Sequence, residues 1–299
     1  PAPDLHSIAA RAASAQLRGA GTRPSLLPVT NDSEERWLRT NVRPQKQRGY
    51  SAAIVTIPLG DLTAPQFRII ADLAASFSDG TVRVTVDQNL VFRWVETARL
   101  HEFYAALTAA RLNHSGLGTI ADVVSCPGAE TCRIAVTQSR GLGHLLGEHL
   151  REHPEVAAAA GPGDIKISGC PNGCGQHHIA AIGFQGSIRK LGDRAVPQYF
   201  VMVGGGVDAG GASFGRIAAK IPARRAPEAV DRLVAFYQAE RRDGEQIFDF
   251  LRRADVARVK TVLADLERLT EADARPEDFI DLAEDHEFAP EVMDGECSA

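Results

Sequence analysis

The chain has 299 residues, 44% hydrophobic and 24% charged, with a formal net charge of -5. This balance describes a soluble globular chain with room for two domains and a sizeable core. It excludes wholesale disorder and gives no reason to expect nucleic acid or an anionic membrane as the partner. No run of about 18 apolar residues is present to form a transmembrane helix, and the N-terminal segment lacks the apolar core of a signal peptide. The chain starts at Pro1 and its first methionine is Met202, so a processed product or a piece of a longer polypeptide is expected.

Residues 1–47 read as an N-terminal helix and a connector arm. Ile8, Ala9, Ala12, Ala15 and Leu17 form a weak apolar face, and Gly19, Gly21, Pro24, Pro28 and Pro44 interrupt helices. Trp37 opens a polar stretch running to Lys46, which marks the connector as ordered. Residues 48–125 switch between the periods of strand and helix. Residues 51–58 read as a strand, and Phe67, Ile70, Ala71, Ala74 and Phe77 recur at helical spacing. Residues 81–85 and 90–95 read as two strands, Leu100, Phe103, Tyr104 and Leu107 mark a second helix, and 119–124 reads as a final strand. That order, βαββαβ, is the ferredoxin-like unit.

Residues 126–270 read as an α/β domain that ends in helices. Ile134, Ala135, Leu142, Leu145 and Leu146 suggest a helix, and 165–167, 179–184 and 199–203 suggest strands. Beyond Pro227, Val230, Leu233, Val234 and Tyr237 share one helical face, as do Val256, Val259, Leu263 and Leu266. Residues 271–299 read as an acidic C-terminal tail. The fold class is therefore α+β.

Five cysteines are too few for a disulfide framework in a chain of this size. Four of them form two close pairs, Cys126 with Cys132 and Cys170 with Cys174. This points to a metal or cluster in a reducing compartment, taken as the cytoplasm. Four thiolates suit zinc or an iron–sulfur cluster, and free buried thiols are the plainer alternative. The gap between Cys126 and Cys132 exceeds the usual zinc spacing. Pro127-Gly128 lets the chain fold back after Cys126. In the second loop Pro171 lacks an N–H and Asn172-Gly173 is a turn dipeptide. Such a loop bares backbone N–H groups, which bond to sulfur and tune a cluster's potential.

At these residues the chain resembles the siroheme-containing sulfite and nitrite reductases. Asp164–Gly186 (DIKISGCPNGCGQHHIAAIGFQG) is similar to the signature loop of that family, and Cys126-Pro127 with Cys132 has the spacing of its first cysteine pair. Thr85-Val86-Asp87-Gln88-Asn89-Leu90 resembles the motif of its ferredoxin-like half domain, and Gly295-Glu296-Cys297 the end of many members. The likeness runs from about Trp37 onward. It implies a ferredoxin-like half domain over 48–125, followed by a domain over 126–270 that binds a [4Fe–4S] cluster and siroheme. It further implies that Cys126, Cys132, Cys170 and Cys174 hold the cluster, and that Cys174 also bridges to the siroheme iron as the catalytic residue. Family members carry two copies of the half domain. This chain shows one, which matches the second copy, so a first-half domain or a second chain is expected to complete the haem pocket. The Arg and Lys residues that grip the anionic substrate belong mainly to the missing copy, and none is assigned here.

Several polar residues have two readings. Gln88 and Asn89 are cofactor-binding candidates by motif, or a polar turn between strands. Asn172, Gly173 and Gln176 lie in or beside the cysteine loop and are stronger cofactor-binding candidates. On a strand, His177 and His178 point to opposite faces, so at most one faces the site as a proton relay. Arg189 and Lys190 suit haem carboxylates or a solvated face equally, and Cys297 reads as a free thiol in the tail. The resemblance implies an oxidoreductase with sulfite or nitrite as substrate and ferredoxin or a flavoprotein as electron donor. The alternatives are an electron-transfer module that reduces nothing and a structural zinc domain.

Overall fold

The computed structural model describes residues 31–208 and 211–290. The helix expected near Ile8 and the Gly295-Glu296-Cys297 ending lie outside these residues. The chain divides into two compact units that part between Leu117 and Gly118.

The first unit opens with helix α1 (Asn31–Asn41) and the short strand β1 (Val42–Pro44). Trp37 of α1 is fully buried against Phe103 and Tyr104, with ring centroids 6.1 and 5.4 Å away. It is therefore core in this unit and not an exposed connector. Strand β2 (Tyr50–Val55) leads to helix α2 (Ala64–Phe77), which a reciprocal cap between Thr63 and Gln66 starts. Ile69, Ile70, Leu73, Ala74 and Phe77 bury one face of α2, whereas Phe67 at its start is exposed. Strands β3 (Val82–Val84) and β4 (Leu90–Glu96) and helix α3 (Leu100–Ala110) follow.

The sheet order is β1-β2-β4-β3, antiparallel throughout. The last strand of the expected βαββαβ order is not in this sheet. Its place beside β2 is taken by β1, because Pro44 and its neighbours pair with Ser51–Ala53. Of the expected strand at 119–124, only Val124–Ser125 is a strand, and it joins the second unit's sheet.

The second unit is a mixed sheet of order β11-β8-β7-β6-β5. Its strands are β5 (Val124–Ser125), β6 (Ile165–Ser168), β7 (Ile182–Leu191), β8 (Arg194–Val203) and β11 (Arg216–Pro222). β9 (Gly206–Asp208) and β10 (Gly211–Ser213) form a small separate ribbon. β5, β6 and β7 run parallel, and β8 and β11 complete the sheet antiparallel. Helices α4 (Ser139–Glu152) and α5 (Pro154–Ala160) make the crossover between β5 and β6. Ile134 and Ala135 lie before α4 in an irregular loop, because that stretch folds back onto Gly169 instead of continuing a helix. After β11 come α6 (Ala226–Glu240), α7 (Ile247–Arg253) and α8 (Val256–Leu263). Val230, Leu233, Val234 and Tyr237 are buried together on α6, as are Val259 and Leu263 on α8.

Residues 281–290 do not hang free. Asp281, Leu282 and Phe288 are buried, and Asp281 accepts the N–H of Gln138 at 2.8 Å.

Candidate metal centre

Both cysteine pairs arise where parallel strands end. Cys126 follows β5 directly, and Cys170 follows β6 after Gly169. β5 and β6 are neighbours, and the Cys126 N–H extends their ladder to Ile167 O at 3.1 Å. The carboxyl ends of parallel strands, where connections must leave the sheet, are where open α/β sheets place their ligands.

Two loops meet there. The first runs from Cys126 to Ser139 and the second from Ser168 to Gln176. The carbonyl of Gly169 accepts N–H groups of both Val136 and Thr137, at 2.9 and 3.1 Å. Contact this close needs glycine. A Cβ on Gly169 would lie 2.6 Å from Thr137 O, and one on Gly175 would lie 1.8 Å from Ile167 O. Gly175 N–H also donates to Ser168 Oγ at 3.0 Å, which seats the end of the second loop on β6.

Cys126 Sγ accepts an N–H bond from Gly169 at 3.3 Å and stands 3.2 Å from Ser139 Oγ. Ser139 is the first residue of the 14-residue helix α4. Cys126 and Cys170 are buried, Cys132 is half-buried and Cys174 is exposed. A buried pair and a more open pair suit a group held at the edge of the unit.

A single tetrahedral zinc would draw its thiolates to about 3.8 Å from one another. Among the described residues, the one group of three or more candidate ligands within 4.8 Å of one another is Glu284, Asp285 and His286, and the cysteines are not gathered so tightly. Four cysteines on two glycine-packed loops, one with an N–H bond to sulfur, are a donor set that an iron–sulfur cluster can take.

The other candidates divide. In the second loop Asn172 is exposed, Gly173 has φ +71° and Gln176 has φ +61°. Gln176 Oε1 accepts a hydrogen bond from Lys166 Nζ at 3.0 Å. His177 and His178 are not on a strand but on a 3-10 turn behind the left-handed Gln176, so their rings stack with centroids 3.8 Å apart. His177 is fully buried, with Nε2 3.2 Å from Gln185 Oε1 and no partner for Nδ1 among the described residues. Burial, assisted by His178, pushes its pKa down to about 4, so it stays neutral at pH 7 and is a poor proton donor. Arg189 does not reach outward: it donates to Glu267 O at 2.7 Å and to Lys220 O at 3.3 Å. Lys190 is exposed.

Gln88 and Asn89 lie in the first unit, in the turn from β3 to β4. Asn89 is fully buried, and its Oδ1 accepts the Ile57 N–H at 2.8 Å. Its own N–H donates to Thr85 Oγ1 at 3.0 Å. This part of the motif pins a turn. Gln88 holds φ +63° beside Gly60.

The sequence reading missed Lys166, Ser139 and Gly175. A lysine in the otherwise apolar run before Cys170 was the available signal for the first.

Residues 43–110 match the nitrite/sulfite reductase ferredoxin-like half domain, and residues 117–271 match the nitrite and sulphite reductase 4Fe-4S domain. The chain belongs to the nitrite and sulphite reductase 4Fe-4S domain family. It is 33% identical over 180 residues to a chloroplastic ferredoxin–nitrite reductase of Zea mays, covering 58% of this chain and 31% of that protein. It is 29% identical over 216 residues to a ferredoxin sulfite reductase of Mycobacterium tuberculosis, covering 70% of this chain and 38% of that protein. The solved structure of the Mycobacterium tuberculosis NirA protein superposes with a TM-score of 0.64 at 25% identity, over 81% of this chain and 43% of that one. The chain thus spans about a third of the length of these curated relatives. Among the described residues no helix is long and apolar enough to cross a membrane.

Proposed function

We propose that this chain is the cluster- and siroheme-binding part of an assimilatory-type reductase that takes sulfite to sulfide, or nitrite to ammonia, with six electrons. The observation that carries this reading is the rise of both cysteine pairs from the carboxyl ends of adjacent parallel strands, within the matched 4Fe-4S domain. Cys126, Cys132, Cys170 and Cys174 would hold the cluster. Cys174, the exposed one, is the residue that the family likeness assigns to the siroheme iron. Asn172, Gly173 and Gln176 are the proposed cofactor neighbours. When bound, the two groups would supply the single-electron steps of the reduction.

The chain's own residues prepare the site. The Gly169 N–H bonds to Cys126 Sγ and steadies it as a ligand. The buried Cys126 and Cys170 keep water from the inner side of the loops. His177 is neutral at pH 7, because burial lowers its pKa to about 4.

The proposed electron donor is ferredoxin, supported by the names of relatives that use it. A first-half domain or a second chain is proposed to supply the cationic grip on the substrate. Four reduced cysteines suit a reducing compartment, proposed as the cytoplasm.

The test is anaerobic purification with siroheme supplied, followed by absorption spectroscopy, iron and labile-sulfide assays, and turnover with sulfite and with nitrite. A Soret band together with iron and sulfide is the expected result, and Cys174→Ser is expected to lose the haem coupling and the activity. A colourless protein that takes up neither iron nor sulfide on reconstitution sinks the reading.

A further inference from the structure

Strand β6 reads Ile165-Lys166-Ile167-Ser168, and all four residues are buried. A lysine here is costly, because a charge taken out of water is repaid only in part by its neighbours. Ile or Leu would fill such a position without that penalty. Side chains alternate along a strand, so Lys166 and Ser168 share the face opposite Ile165 and Ile167. On that face lies the end of the cysteine loop. Ser168 Oγ takes the Gly175 N–H at 3.0 Å, and Lys166 Nζ donates to Gln176 Oε1 at 3.0 Å. Gln176 is itself turned back, with φ +61° and its N–H on Gly173 O at 2.7 Å. The carboxylate of Asp164 stands 3.9 Å from the ammonium and is the more exposed of the two. His177, the next residue along, carries no charge at neutral pH.

We propose that Lys166 is a positioning residue of the metal centre: it holds the Cys170–Cys174 loop through Gln176 and places a fixed positive charge beneath it, which raises the reduction potential of the cluster. This rests on the cluster reading given above. The physical basis is direct. A four-thiolate cluster becomes more negative when it gains an electron, and a buried cation favours the more negative state. Because the loop is glycine-packed against β6, that charge cannot swing away as a surface lysine would.

The experiment is a redox titration of the anaerobically loaded full chain, followed by electron paramagnetic resonance, with iron and sulfide counted per chain. Lys166→Met is expected to shift the reduction equilibrium toward the oxidised cluster by about tenfold, which is a fall of about 59 mV for one electron. Lys166→Arg, which keeps the charge, is expected to stay within about twofold of the parent. Asp164→Asn removes the opposing carboxylate while its Oδ1 still accepts the Ala181 N–H, a bond of 2.7 Å in the parent, and the potential is expected to rise. If Lys166→Met and Asp164→Asn both load fully and both keep the parental potential, the inference is overturned and Lys166 is only a buried strand residue. If Lys166→Met fails to load, the other two variants decide: loss of loading in Lys166→Arg, or an unmoved potential in Asp164→Asn, overturns it. A parent chain that takes up no iron and sulfide overturns the cluster reading itself, a failure distinct from an unmoved potential in loaded variants.

Discussion

At Gly175 the chain has no room for a side chain. A Cβ there would stand 1.8 Å from Ile167 O and 3.0 Å from Cys126 N, both backbone atoms of the strands that carry the cysteines. Neither can move without disturbing the β5–β6 ladder. Gly175→Ala is therefore expected to cost about 1–3 kcal/mol by overpacking and to reduce the iron bound per chain. Gly147→Ala is the control: in α4 its nearest neighbour is the flexible end of Arg151 at 3.2 Å. That change should leave iron unchanged and stabilise by about 0.5–1 kcal/mol through helix propensity. Equal iron content in the two variants would show that close packing at Gly175 does not hold the loops together. The cysteines were legible in the sequence because thiol spacing carries chemistry of its own. Gly175 and Ser139 were not, because each gains its meaning from a partner brought near only by the fold. Ser139 meets Cys126 across 13 residues, and Gly169 meets it across 43.

Helix α4 gains its start from the C-terminal segment. Asp281 accepts N–H bonds from Gln138 and from Leu282, each at 2.8 Å, and Gly141 allows Leu282 to lie directly on the helix. Burial nonetheless pushes the Asp281 carboxyl up from 3.8 to about 6, with Glu284 adding to the rise and the two N–H bonds and Arg224 opposing it. A folded pKa above the unfolded one means that the native state binds more protons between those values. The stability that Asp281 contributes is then full below about pH 4, falls as pH rises to about 6, and levels off above, by on the order of 3 kcal/mol. Asp265 and Glu245, held down to about 2 by Arg232 and Arg253, act in the opposite sense and in a lower window. Urea midpoints measured between pH 4 and 6 should therefore slope downward for the parent and lie flat for Asp281→Asn. A slope that survives the substitution assigns the effect to another group. The acidic composition of 271–299 suggested a tail, because periodicity reports a helix or strand and gives no sign of an irregular segment that packs. The same limit explains the strand expected at 119–124 and the histidine pair expected on a strand. Short apolar runs next to glycine fit several backbones, and only the left-handed Gln176 turns His177 and His178 into a 3-10 step.

Each unit of the molecule carries a core of its own. In the first, Phe103 meets Trp37, Phe77 and Phe92, with ring centroids 6.1, 5.2 and 5.1 Å away. In the second, the sheet core of Ile165, Ile167, Ile182 and Phe184 is fully buried, and the two cysteine loops leave the ends of the sheet's parallel strands. Those loops bury few apolar side chains, so metal ligation should supply much of their local stability. Removing iron anaerobically with a chelator is therefore expected to act locally. Amides over 126–139 and 168–176 should lose at least about tenfold in hydrogen-exchange protection, equivalent to about 1.4 kcal/mol of local opening. Amides of α2, α3 and β4 should be unchanged, because their protection comes from aromatic packing that contains no ligand. Unchanged exchange in the two loops would mean that ligation does not order them. A loss spread evenly through α2 and α3 would mean that the first unit's stability depends on the metal as well, against the reading that its core stands alone.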